Sequence, residues 1–69
     1  MKISARNVLK GKVKEIHPGA VNTEVTLELA PGLEITAVVT KHSAEALGLA
    51  VGREAYAVIK ATSVMLGTD

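Results

Sequence analysis

Hydroxyl and cationic residues gather at three places along this 69-residue chain. Ser4 and Arg6 stand near its start, Thr40 and Ser43 in its middle, and Lys60, Thr62 and Ser63 near its end. Together they offer two cations, several O–H donors and the backbone N–H groups of a helix start, which are the parts of an oxyanion pocket. A pocket built only of donors suits a dianion that stays unprotonated at neutral pH. Taken singly, the same residues have ordinary structural roles: Ser4 and Arg6 as chain terminus, Thr40 and Ser43 as helix caps, Lys60 as a solubilising strand end.

Other chemistries find little support. Glu15, Glu24, Glu28, Glu34, Glu45 and Glu54 fall mostly on the wet faces of strands, and no carboxylate pair sits near a nucleophile. His17 precedes Pro18 in a turn, and His42 falls in a first helical turn; both read as surface histidines. No Walker loop and no GxGxxG is present, so catalysis is set aside. Cysteine is absent and only two histidines remain, so direct metal ligation by side chains is not expected.

Eight basic and seven acidic residues leave a net charge of +1, which is no general footprint for nucleic acid or an anionic membrane. Single-strand binding by an OB-type module is the alternative function. It needs aromatic platforms worth roughly 1–3 kcal/mol per base, and Tyr56 is the sole aromatic residue. The stripe Lys10, Lys12, Lys14 reads as edge-strand protection. No apolar run is long enough for a bilayer, and the opening Met-Lys-Ile-Ser lacks the apolar region of a signal peptide. A cytoplasmic protein is expected.

The elements that must position these clusters follow a period of two. Val21, Thr23, Val25, Leu27 and Leu29 alternate with Asn22, Glu24, Thr26 and Glu28, the pattern of a strand with one wet face. Pro31-Gly32 makes a turn, after which Leu33, Ile35, Ala37 and Val39 complete a hairpin. Upstream, Val8 to Ile16 forms another strand, in which Gly11 marks a bend or a close backbone approach. One brief helix follows Thr40 or Ser43 as cap, with Ala44, Ala46 and Leu47 as its apolar stripe and Gly48 just past its end. Glu54 to Lys60 and Val64 to Leu66 supply two further strands. Five short strands and one short helix in a single domain over residues 1–69 predict an all-β fold, a small OB-like Greek-key barrel.

Such a chain buries only about 60% of the surface its unfolded form exposes. Ten of its apolar residues are alanine and no disulfide can form, which leaves oligomerisation as the route to a sufficient core.

The opening Ile3-Ser4-Ala5-Arg6-Asn7, with Leu9-Lys10-Gly11 after it, resembles the start of the molybdate-binding Mop domain of the molbindins. The likeness runs the length of the chain, through Gly19-Ala20-Val21-Asn22, Ile35 to Thr40, Ser43, Leu47-Gly48-Leu49 and Ala57-Val58-Ile59-Lys60-Ala61-Thr62-Ser63-Val64. It implies an OB-like homohexamer, a trimer of dimers, that holds molybdate or tungstate between subunits. In the site so implied, Ser4, Arg6 and Lys60 come from one subunit and Thr40 and Ser43 from its neighbour, with the Ala61 backbone as a further donor. Many relatives carry a serine where this chain has Ala61, so a hydroxyl there must come from Thr62.

The family's second type of pocket would use Gly19, Ala20, Val21 and Asn22. Its small residues permit a nest, a turn whose successive amides point at one spot. Related domains also occur fused to transport ATPases and regulators. Met1 and the short length favour the free-standing, storage form, which buffers the oxyanion for cofactor synthesis. A pterin would find no stacking surface beyond Tyr56.

Overall fold

The computed structural model describes residues 1–69. Strands β1 (Asn7–Pro18), β2 (Asn22–Ala30) and β3 (Leu33–Thr40) are followed by helix α1 (Lys41–Ala46), strand β4 (Glu54–Ile59) and a 3-10 turn at Ala61–Ser63. The first three strands meander antiparallel, and β4 returns beyond α1 to pair with β1, giving the sheet order β3-β2-β1-β4. A fourth strand beside the first is the Greek-key order. The curled sheet with one short helix is the OB-like all-β architecture that the alternation predicts.

The core lies where the odd positions of the strands converge. Val13, Val25 and Leu27 are buried together, with Ile16, Ile35, Val39, Leu49, Ala55 and Ala57 packed against them. Gly11 belongs to this inner face. A Cβ there would stand 2.7 Å from the carbonyl oxygen of Glu28, so the close backbone approach expected at this glycine is present.

Four features depart from expectation. The first is the number of strands, which is four. After Lys60 the chain tightens into the 3-10 turn, with the Ser63 N–H donating to the Lys60 carbonyl at 2.8 Å and the Val64 N–H to that of Ala61 at 3.3 Å. The turn leads residues 64–66 off the sheet and leaves Met65 and Leu66 in solvent. A short apolar run makes a segment fit to be a strand, but a strand also needs a free edge within reach.

The second concerns β1, which is an inner strand, so its lysines protect no edge. Lys10 instead pairs with Glu54 across to β4 at 2.8 Å, and Lys14 joins Glu34 and Glu28 toward the other side. Lys14 also stands at a bulge, where the β1–β2 register shifts between Val13 and Glu15. The third is Thr26, assigned to the wet face but buried. It is covered from β3 by Thr36, whose hydroxyl lies 3.5 Å from its own.

The fourth is the stripe on α1. Only Ala44 is buried, while Leu47 is exposed, because the helix ends one residue earlier than the stripe requires. Gly48, at φ +65°, reverses the chain there. Its N–H donates to the Glu45 carbonyl and that of Leu49 to the Ala44 carbonyl, which is a Schellman closure. Leu49 thereby reaches the core in place of Leu47.

Candidate functional site

Register decides which of the predicted site residues meet. The β1–β4 pairing runs from Lys12 opposite Glu54 to Asn7 opposite Ile59. The ladder ends there, and Arg6 and Lys60 are the next residues outward on its two strands. The Asn7 side chain fixes this end of the ladder, its Nδ2 donating to the Ile59 carbonyl at 3.2 Å. Beyond it lies an open hollow of about 410 Å³ lined by Ile3, Ser4, Ala5, Arg6, Val58, Lys60, Ala61 and Thr62. Five of the predicted residues, Ser4, Arg6, Lys60, Ala61 and Thr62, therefore share one site.

Its electrostatics are one-sided. The chain's ion pairs are Lys10–Glu54, Lys14–Glu28, Lys14–Glu34 and His17–Glu15, and neither Arg6 nor Lys60 takes part in any. Two cations thus face one cavity without a carboxylate. Charge pairing is found instead on the outer faces of the strands. The hydrogen bond and charge of Lys10 hold the Glu54 carboxyl below its ordinary value, and Glu54 raises Lys10 in return. Glu34 does the same for Lys14.

Thr40 and Ser43 lie apart from this hollow. Thr40 caps α1: its Oγ1 accepts the Ser43 N–H at 3.0 Å and donates to the Ser43 Oγ at 2.7 Å. Thr40 pairs with Asn22, and Thr23 with Pro18, at the far end of β1 from Asn7. The 12 residues of β1 lie between the two groups, in a chain whose longest extent is 35 Å. The two halves also belong to different outer strands, since β3 and β4 flank the sheet. Neither Thr40 nor Ser43 is among the residues that line the hollow.

The 19–22 loop adjoins the hydroxyl half, the Lys41 N–H donating to the Val21 carbonyl at 2.8 Å. It departs from the nest expected of it. None of its residues has a positive φ, and the Gly19 amide is already committed to the Asn22 carbonyl at 2.7 Å. A Cβ on Gly19 would stand 2.7 Å from that same oxygen, so this glycine closes the loop on itself.

Two contributors escaped the sequence reading. Asn7 stands in the sequence only as part of the opening motif, although a side-chain amide at the last pair of a ladder can reach across to the neighbouring backbone. Val58 lines the hollow, and its signal was present: it is an apolar residue at an outward position of β4.

The chain matches the TOBE domain over residues 3–66. It is 51% identical over 69 residues to a probable molybdenum-pterin-binding protein of Haemophilus influenzae, with both chains covered in full. It is 50% identical over 66 residues to molybdenum-pterin-binding protein 1 of Clostridium pasteurianum, covering 96% of this chain and 97% of that one. The solved structure of MopII from Clostridium pasteurianum superposes with a TM-score of 0.91 at 48% identity, over 97% of this chain and all of that one. The cytoplasmic molybdate-binding protein ModG, solved with molybdate bound, gives a TM-score of 0.94 at 55% identity; it covers all of this chain, which spans 49% of ModG. Sequence and fold agree along the whole length, and the chain belongs to the TOBE-domain family, among the Mop-type molybdate-binding proteins or molbindins.

Proposed function

We propose that this chain binds molybdate or tungstate without catalysis, in pockets closed between two copies, and serves to store and buffer the ion in the cytoplasm. One copy supplies Ser4, Arg6, Lys60, the Ala61 backbone and Thr62; its neighbour supplies Thr40 and Ser43. The observation that carries this reading is the hollow that Arg6 and Lys60 line together just beyond the β1–β4 ladder, with the hydroxyl pair beside the other end of β1. A dianion taken out of water must be matched by charge and by donors. The cations are together and the extra donors are not, so a second copy completes the set. Relatives described as molybdate-binding or molybdenum-pterin-binding support the choice of ion.

The assembly is a homohexamer, a trimer of dimers. The 19–22 loop forms a second type of pocket, in which the amides beyond Gly19 are the donors.

Native mass spectrometry with and without molybdate, beside calorimetric titration, tests both parts together. The expected result is a hexamer that takes up molybdate and tungstate in whole numbers and prefers them to the smaller sulfate. A monomer at micromolar concentration, or equal binding of sulfate, overturns the reading.

A further inference from the structure

The hollow beyond the β1–β4 ladder has a wall of two kinds. Ser4, Arg6, Lys60 and Thr62 bring donors to it, while Ile3, Ala5, Val58 and Ala61 bring hydrocarbon. The two kinds are interleaved along the chain. Ser4 stands between Ile3 and Ala5, Ala61 stands between Lys60 and Thr62, and Val58 comes two residues before Lys60.

The hydrocarbon part is costly for a plain oxyanion. An oxygen turned toward a methyl group gives up water and receives no donor in return. The hydroxyl pair proposed to complete the site changes this little. Thr40 donates to the Ser43 Oγ at 2.7 Å, so the pair brings one free O–H to an anion and not two. Sulfur in place of oxygen removes the cost, because it accepts hydrogen bonds weakly and packs well against hydrocarbon. Such an anion keeps its tetrahedral shape and its double charge, so Arg6 and Lys60 can serve it as they serve an oxyanion. An open hollow of about 410 Å³ also leaves room for the longer metal–sulfur bonds.

We infer that this hollow takes thio-substituted anions of molybdenum or tungsten, with sulfur seated against Ile3, Ala5, Val58 and Ala61. The inference rests on the oxyanion reading above and widens its class of ligand.

Tetrathiomolybdate is the probe, because it is coloured and molybdate is not. The chain has no cysteine, so no thiol of the protein exchanges with the probe, and colour retained in equilibrium dialysis counts bound anion. In copper-free, oxygen-free buffer the full-length protein is expected to bind it at least as tightly as molybdate, each anion displacing the other. Arg6→Ala should weaken both roughly 10- to 150-fold. Ala61→Ser sets a hydroxyl into the hydrocarbon part and is expected to shift the preference toward molybdate by about fivefold or more. Tetrathiomolybdate held more than about tenfold less tightly than molybdate, or held without competition, or held equally well by Arg6→Ala, overturns the inference and leaves the oxyanion reading in place. An unchanged preference in an Ala61→Ser protein that binds both anions overturns it as well. Uptake of the thio-anion through Arg6 with none of molybdate upholds the inference and overturns the oxyanion reading, and uptake of neither overturns both.

Discussion

Asn7 and Ile59 close the last pair of the β1–β4 ladder, and the Asn7 Nδ2 donates to the Ile59 carbonyl oxygen at 3.2 Å. This side-chain contact adds to the backbone ladder at its last pair, one residue from Arg6 on β1 and one from Lys60 on β4. Asn7→Ala removes a partly buried hydrogen bond of about 0.5–1.5 kcal/mol. The expected outcome is a loss of stability of that size in urea unfolding, with a several-fold weaker molybdate titration although Asn7 itself does not line the hollow. Full affinity in this variant would show that the strands hold their register without it.

Gly11→Ala should be among the most damaging small changes. Its Cβ would meet the Glu28 carbonyl oxygen at 2.7 Å, and backbone on an inner strand cannot step aside as a flexible side chain can. Overpacking of this kind costs about 1–3 kcal/mol. Gly67→Ala, with nothing within 4 Å of the new atom, is the matched control and should leave the urea midpoint unchanged.

Much of this architecture is legible in the sequence, for a physical reason. Val25 and Leu27 alternate with polar neighbours, and burying one face of a sheet requires just that pattern; Gly11 and Gly48 stand where a Cβ would clash or where φ must be positive. The bulge at Lys14 is invisible because one inserted residue leaves no mark in composition. Burial of Thr26 depends on Thr36 across the hairpin, a pairing fixed by register and not by either residue alone. The apolar run Val64-Met65-Leu66 says nothing about whether an edge lies within reach. At the site, residue types suggested cations and hydroxyls for an oxyanion, and the family likeness assigned Thr40 and Ser43 to another subunit. Only the strand order, with β3 and β4 at opposite edges, adds a geometric ground for that separation.

Thr40 has two tasks that can be separated. Its hydroxyl caps α1 by accepting the Ser43 N–H and also donates to the Ser43 Oγ. Thr40→Val keeps the shape and removes both bonds, so a loss of about 0.5–2 kcal/mol in thermal or urea unfolding is expected. Thr40→Ser should restore the cap and, with it, molybdate affinity. If Thr40→Ser is as unstable as Thr40→Val, the methyl group and not the hydroxyl holds the helix start.

The pH response of the Lys10–Glu54 pair follows from its shifts. Glu54 titrates below its unfolded value because Lys10 donates to it and sits beside it. Its contribution is therefore present above the unfolded carboxylate range and is lost as pH falls through the lowered folded value. Lys10 is raised, chiefly by its hydrogen bond to Glu54, so its contribution holds below its ordinary value and fades as pH rises through the folded one. Both groups lie in solvent, so the effect is small and screened by salt. Glu54→Gln should flatten part of the acid limb of a stability-against-pH curve at low ionic strength, with the difference vanishing in molar salt. An identical acid limb in the two proteins at low salt would show that the pair contributes nothing.

Arg6→Ala and Lys60→Ala should each weaken molybdate binding sharply while leaving the fold intact. Both cations face the hollow, neither is neutralised by a carboxylate of its own chain, and an enclosed dianion needs opposite charge. A hydrogen bond to a charged group is worth about 1.5–3 kcal/mol, so each loss should cost roughly 10- to 150-fold in affinity. Arg6→Lys keeps the charge but replaces a planar fork of donors with a compact ammonium, and should recover only part of the loss. Lys12→Ala is the control, because Lys12 points outward from β1 opposite Glu54, well along the strand from the hollow; isolated surface charges of this kind contribute little. Calorimetric titration of the four variants, with assembly checked by light scattering, separates a built pocket from diffuse basic charge. If Lys12→Ala costs as much as Lys60→Ala, the ion is held by the overall field of the surface, and the Arg6–Lys60 hollow is not its site.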